Sequence, residues 1–252
     1  MRKSHAYIFV HDQDIIHKYE DTRKFWKIFG SDFTYVFVGM KPTDALNIQN
    51  VIICRDLECN IERYNKLVSY TGWYALVKNH LLTHEYNIML EYDVILSQKF
   101  DQVVTQFVKQ SRSKDVFSFI PVPKDFRFYE YMNEFFSYMG IEGFPVRREQ
   151  YIERHKREKW MGSSNSIWTR ERLIDFVDWF STVLDTEFMT YPYIGHTVER
   201  AITAYCVLND IKYNFITGVL RHFYLDSHET QAEHNNGNQK QYKDYIKELS
   251  SK

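Results

Sequence analysis

The chain has 252 residues, 44% of them hydrophobic and 17% aromatic, which is enough for one large α/β domain or two small ones with a sizeable core. Lys and Arg number 32 against 33 Asp and Glu, and the resulting net charge of -1 argues against a general electrostatic grip on nucleic acid. Only three cysteines occur, Cys54, Cys59 and Cys206, without metal-type spacing, which argues against a disulfide scaffold and fits a reducing compartment.

In chain order, Ala6-Tyr7-Ile8-Phe9-Val10 reads as a first strand. This run is too short for a signal segment and is followed at once by His11-Asp12, and no other apolar run approaches the roughly 20 residues of a membrane span. A soluble, cytoplasmic protein is therefore expected. An amphipathic helix is expected at about residues 15–29, closed by Gly30, then strands at 35–38 and 51–54. Residues 60–82 carry apolar side chains at Tyr64, Leu67, Val68, Trp73, Tyr74, Leu76, Val77 and Leu81 and read mostly as helix, interrupted near Thr71-Gly72.

The next stretch, Asn87-Ile88-Met89-Leu90-Glu91-Tyr92-Asp93-Val94-Ile95-Leu96, reads as a buried strand interrupted by two carboxylates. Ionised acids in such a place are costly unless a cation or strong donors compensate them. A strand's period of two puts Glu91 and Asp93 on one face and Tyr92 on the other. Two converging carboxylates suit Mg2+ or Mn2+. The other reading makes one acid a solvated strand-end residue and the other a cap.

Residues 100–109 read as a helix and 116–120 as a strand stopped by Pro121 and Pro123. The segment 124–159 mixes aromatics with the basic residues Arg147, Arg148, Arg154, His155, Lys156 and Arg157. It is either a lid or acceptor-binding surface, or a helical hairpin with a charged, solvated face. Ser163, Ser164, Asn165 and Ser166 precede Thr169, the expected N-cap of a helix through Phe180. Those small polar residues donate to sugar hydroxyls or are turn residues. A helix follows at 197–208 with Glu199 in its first turn, then a last strand at 213–220, then His222 and His228. Residues 229–252 form a polar tail with a short surface helix at 239–249.

Strands alternating with helices favour an open, largely parallel sheet whose ligand site lies beyond the carboxyl ends of the strands. That rule gathers His11, Asp12, Arg55, Asp56, Glu91 and Asp93. Arg55 either offers a diphosphate its fork of donors or pairs on the surface with Asp56 or Glu58.

The ordered set of Leu90-Glu91-Tyr92-Asp93-Val94, a preceding helix with Gly72-Trp73-Tyr74-Ala75-Leu76-Val77-Lys78, and a later Ser/Asn strand, Glu-Arg helix and histidine resembles the glycosyltransferase A fold. The likeness covers residues 6 to about 228, with Glu91 standing where the metal motif's first Asp usually stands. Within that fold the chain is similar to the small glycosyltransferases of large algal viruses and related bacterial enzymes. The resemblance implies a single Rossmann-like α/β domain over 1–228 with a mostly parallel sheet flanked by helices. An acceptor-side insertion at about 124–159 and a tail at 229–252 complete it.

The resemblance also implies a UDP- or GDP-sugar donor with its base near His11, and Mn2+ or Mg2+ on Asp93, Glu91 and either His222 or His228. Arg55 and Lys78 would hold donor phosphates or sugar hydroxyls. Ser164 and Asn165 would face a glycan or other acceptor. Glu199 would be the base that deprotonates the acceptor hydroxyl in an inverting enzyme, or would contact the donor sugar in a retaining one. A viral enzyme of this kind would work in the host cytoplasm. Two other readings stay open. A sugar nucleotidyltransferase usually carries a glycine-rich loop after the first strand, where this chain has His11-Asp12-Gln13-Asp14. A non-catalytic carbohydrate- or nucleotide-binding module would keep the fold without turnover.

Overall fold

The computed structural model of the chain describes residues 4–11, 33–39, 50–92, 94–97, 99–110, 116–122, 127–161 and 164–222, together with 244 and 247. The helix expected at 15–29, Asp93, His228 and most of the 229–252 tail lie outside the described residues. The strands are β1 (Ser4–Val10), β2 (Phe33–Phe37), β3 (Val51–Ile53), β4 (Tyr86–Glu91), β5 (Val94–Leu96), β6 (Val116–Ser118), β7 (Pro121–Val122), β8 (Trp160–Met161), β9 (Ser166–Thr169), β10 (Tyr213–Phe215) and β11 (Leu220–His222). The described α-helices are α1 (Ser69–Lys78), α2 (Phe100–Gln110), α3 (Arg127–Tyr138), α4 (Phe144–His155), α5 (Arg170–Ser181) and α6 (Ile194–Leu208).

A seven-stranded sheet in the order β10-β6-β9-β4-β1-β2-β3 forms the centre. All its pairings are parallel except those of β9, which runs antiparallel to both β4 and β6. The period of two along β1 sends Ala6, Ile8 and Val10 into one core and Tyr7 and Phe9 into the other. Helices α1, α3, α4, α5 and α6 bury their apolar stripes on the Tyr7–Phe9 side. Helix α2 and the β5–β11 ribbon cover the opposite side. Both faces of the sheet are thus buried, which explains why β1 and β4 read as nearly continuous apolar runs.

Four details differ from the sequence reading. Helix α1 runs straight through Gly72, because the glycine serves close approach. A Cβ there would come within 2.5 Å of the Phe9 ring. The break falls instead at Val68, φ 45, where a single 3-10 turn gives way to α1. The stretch 87–96 is not one strand. Pairing of β4 with β1 ends at Glu91 and with β9 at Met89, so the ladder runs out and Tyr92 turns the chain into β5. Glu91 is therefore the last residue of β4.

The stretch 213–220 likewise divides, at Gly218 with φ 75, into β10 and β11. Pro121 does not stop the sheet but opens β7, a two-residue edge where a missing N–H is tolerated. Within 124–159, α3 and α4 each pack on α6, and their Met132, Phe135, Phe136, Phe144 and Tyr151 belong to the main core. The N-cap of α5 is as expected: Thr169 Oγ1 accepts from the Arg172 N–H at 3.3 Å.

Candidate functional site

Because the parallel strands point the same way, their carboxyl ends gather in one edge. His11 follows β1, Gly39 lies beyond β2, Arg55 sits in a 3-10 turn directly after β3, and Glu91 ends β4. Strand β9 runs the other way, so the residues that enter it, Ser164 and Asn165, come to the same edge. Helix α1 starts there too, with Ser69 as its first residue.

Three segments converge on the Glu91 carboxylate. Its Oε1 accepts from Ser69 Oγ at 3.3 Å, and its Oε2 accepts from Asn165 Nδ2 at 3.2 Å. The Glu91 backbone N–H donates to Asn165 Oδ1 at 2.9 Å, so one amide side chain grips both ends of the residue. Ser69 Oγ also lies 3.0 Å from Ser164 Oγ, a second hydroxyl contact that its single proton shares with Glu91. Behind them Ser166 Oγ donates to the Ser164 carbonyl at 2.8 Å and accepts from Trp168 Nε1 at 2.8 Å. Ser69, Ser164, Asn165 and Ser166 are buried, and each would cost about 1–3 kcal/mol if orphaned, which makes the set mutually dependent.

The Ser164 hydroxyl and the Asn165 amide, expected toward an acceptor, are engaged with Ser69 and Glu91. Ser69, which no sequence pattern singled out, is delivered by the Val68 backbone at φ 45 and ψ -120. For a β-branched residue this conformation is an outlier costing on the order of 1–3 kcal/mol.

The second convergence is in the backbone. In the antiparallel β5–β11 ribbon, His222 pairs with Val94, the residue that follows Asp93 in the chain. The β11 backbone thus runs beside the residue that follows Asp93. Asp93, His228 and the His222 side chain lie outside the described residues. Among the described residues no group of three His, Cys, Asp or Glu side chains is placed to hold a metal ion.

His11 meets Tyr92 edge-on, with ring centroids 4.7 Å apart, so the end of β1 adjoins the turn after Glu91. Arg55 Nε lies 3.6 Å from Asp56 Oδ1, the surface pair that was one of its two readings, with its side chain 34% exposed. Between the ends of β2 and β3 lies a residue that sequence reasoning missed, Glu62. Its Oε2 accepts the Gly39 N–H at 2.6 Å, while Oε1 is buried with no partner. Burial pushes the Glu62 carboxyl upward, against the opposing pull of the Gly39 N–H and the Arg55 charge. The same burial, aided by Glu62, pushes the Cys54 thiol up.

A raised carboxyl value means that the fold favours the neutral form. The stability it contributes is complete below the ordinary value of 4.5 and is lost as pH rises through the raised folded value. Glu62→Gln, which cannot ionise, should therefore gain in melting temperature relative to wild type as pH climbs from 4.5 upward. A gap between the two melting curves that ignores pH would refute this.

Two further residues were expected at the site. Lys78 is not brought there. Helix α1 carries the chain back toward the start of β4, so its last turn lies about 14 Å from Ser69 along the axis. Its Nζ instead pairs with Asp178 of α5 at 2.7 Å.

Glu199 is brought near. At Gly195 a Cβ would lie 2.7 Å from the Lys66 carbonyl oxygen, so α6 abuts the turn that delivers Val68 and Ser69. Glu199 is four residues on, hence on the same helix face. Its Oε2 is 3.2 Å from Arg200 Nη1 and 3.9 Å from His196 Nδ1, and the side chain is half-buried.

No family model matches the chain, and no curated protein does. Solved structures do. The apo structure of WbbM, a bifunctional glycosyltransferase, matches with a TM-score of 0.54 at 12% identity, over 87% of this chain and 45% of WbbM. The fold is the one this part of WbbM has. The chain spans less than half of WbbM's length. Glucosyl-3-phosphoglycerate synthase from Mycobacterium tuberculosis, solved with Mn2+, UDP and glucosyl-3-phosphoglycerate, gives a TM-score of 0.43 at 10% identity, over 94% of this chain and 78% of that one. The same enzyme with Mn2+, UDP-glucose and phosphoglyceric acid gives 0.45 at 8% identity, over the same shares. No described helix is long and apolar enough to cross a membrane.

Proposed function

We propose that the chain is a metal-dependent glycosyltransferase, moving a sugar from a UDP- or GDP-sugar to a hydroxyl of a glycan or other acceptor. The observation that carries this reading is the fixed Glu91 carboxylate at the carboxyl edge of the sheet, with β11 returning His222 to the backbone beside the second acid. The fold shared with a bifunctional glycosyltransferase supports it. The narrower likeness to enzymes of large algal viruses adds no residue to the proposal.

The donor set fits Mn2+ or Mg2+: carboxylate oxygens from Glu91 and Asp93 and an imidazole from His222 or His228. When bound, such an ion neutralises charge that grows on the departing nucleoside diphosphate. The chain's own residues do the rest. Ser69 and Asn165 hold the Glu91 carboxylate in one orientation before any ligand arrives, so no reorganisation is needed during the reaction. His11 and Tyr92 line the end where the nucleotide base would lie. Arg55, on the rim after β3, exchanges the exposed Asp56 for a diphosphate, which its planar fork matches better. Glu199 takes the proton of the acceptor hydroxyl in an inverting reaction, or contacts the donor sugar in a retaining one.

Thermal unfolding against a panel of nucleoside-diphosphate sugars, with Mn2+ present or chelated, tests the reading. One donor class should raise the melting temperature only with metal, and Asp93→Ala should abolish the rise. Saturation at a hundred times Kd corresponds to about 2.7 kcal/mol, a readily measured shift. A panel with no shift at all would favour a module without chemistry.

A further inference from the structure

A second cleft, of about 540 Å³, lies at the β10 edge of the sheet and is lined by Ile152, Glu153, Lys156, Arg157, Glu158, Lys159 and Phe215. It is built by a reversal of the chain. Helix α4 ends at Lys156 in the left-handed conformation, φ 53 and ψ 43, with its N–H bonded back to Ile152 at 2.7 Å. That position usually takes glycine or asparagine, and a lysine there keeps an ammonium on the rim. The chain then returns along the edge of β10. Arg157 donates to Asn214, and the Lys159 carbonyl accepts from Tyr213 Oη at 2.8 Å. Arg154 and His155, in the last turn of the helix, are turned to Asp210 instead. The cleft's lining carries the cations Lys156 and Lys159, Arg157 with part of its guanidinium on Asn214, the acids Glu153 and Glu158, and the apolar Phe215 and Ile152.

The cleft and the Glu91 site share one piece of chain. From Lys159 it runs through β8, which pairs with β7, and within six residues reaches Ser164 and Asn165 against Glu91. Across the sheet, Phe215, Ser118, Ser166 and Met89 are successive register partners. Three strand spacings put the cleft roughly 15 Å from Glu91, the span of a short oligosaccharide.

We infer that this cleft is a distal subsite for an acidic sugar of the acceptor. Each part of the lining selects for that class. A neutral glycan would leave the excess positive charge of the lining, three cations against two acids, without an anion. A bare anion would leave Phe215 without a ring to stack on and would face Glu153 and Glu158 unfavourably. An acidic sugar answers all three: its anionic group goes to Lys156, Arg157 and Lys159, its C–H face to Phe215, and its hydroxyls donate to the carboxylates. The inference rests on the transferase reading for the word acceptor, and on the cleft alone for binding.

The test is titration of the full chain with trigalacturonic acid, maltotriose, glucose 6-phosphate and inorganic phosphate, beside the double variant Lys156→Glu/Lys159→Glu. The acidic trisaccharide should bind more tightly than maltotriose, and the double variant should weaken it by roughly tenfold or more. Glucose 6-phosphate binding in its place, with the same loss in the variant, would assign the acidic group as phosphate. Equal binding of acidic and neutral sugars, indifference to the variant, or inorganic phosphate alone matching the sugars would each overturn the inference. Donor binding by the wild type is scored separately. Charge-dependent binding without any donor shift keeps the cleft and removes the transferase reading, and the reverse removes the cleft alone.

Discussion

Glu91→Gln should abolish metal-dependent transfer while leaving the protein folded. Glutamine keeps the length and planarity of the side chain, but it has one acceptor oxygen where Glu91 has two. Either Ser69 or Asn165 can still be satisfied, and the other donor then meets an amide N–H2. Loss of one such hydrogen bond costs about 0.5–1.5 kcal/mol, which a fold with two continuous cores tolerates. The chemical loss is larger, because a neutral amide gives a divalent cation far less than a carboxylate does. Removing a group that only orients a metal ligand typically costs 10–100-fold, so Asn165→Ala should fall in about that range and Glu91→Gln below it. Turnover of the best donor, alongside Mn2+ affinity from calorimetry, decides the matter. Near-normal turnover in Glu91→Gln with unchanged metal affinity would sink the assignment and leave Glu91 as a structural residue that ends β4.

How much of this was legible in the chain depends on the kind of signal each part carries. The parallel sheet and its site edge follow from periodicity, which short-range geometry obeys, and β1, α2 and the Thr169 cap fell where the pattern put them. The Glu91–Asn165 contact is different. It joins residues 74 apart through an antiparallel strand, and nothing local in Ser164-Asn165 distinguishes a buried orienting pair from a turn. Ser69 was invisible because its role depends on Val68 adopting a positive φ that β-branched residues avoid. Lys78, which the resemblance assigned to the donor, stands at the last turn of a ten-residue helix and pairs with Asp178. Glu62 shows the limit most clearly, since a carboxylate in a polar turn reads as solvated until tertiary packing buries it.

Gly72→Ala should produce the largest loss of stability from the smallest change. In an exposed helix the substitution would stabilise by about 1 kcal/mol, because alanine loses less backbone freedom on folding. Here the new methyl would sit 2.5 Å from two atoms of the Phe9 ring and 3.1 Å from a methyl of Val36. Neither neighbour is a flexible end. Phe9 is 2% exposed and packs against Trp73, with centroids 6.4 Å apart, while Val36 is fully buried on the adjacent strand. Relief therefore requires α1 to lift from β1, and overpacking of this kind costs about 1–3 kcal/mol even after partial relaxation. The steric term wins, and at 2–4 °C per kcal/mol for a domain near this size the melting temperature should drop by several degrees. Because α1 begins with Ser69, the lift should also loosen the hydrogen bond to Glu91, so metal affinity should fall together with stability. Restoring space with Phe9→Leu in the Gly72→Ala background should recover part of both, and failure to recover either would show that the helix does not ride on that ring.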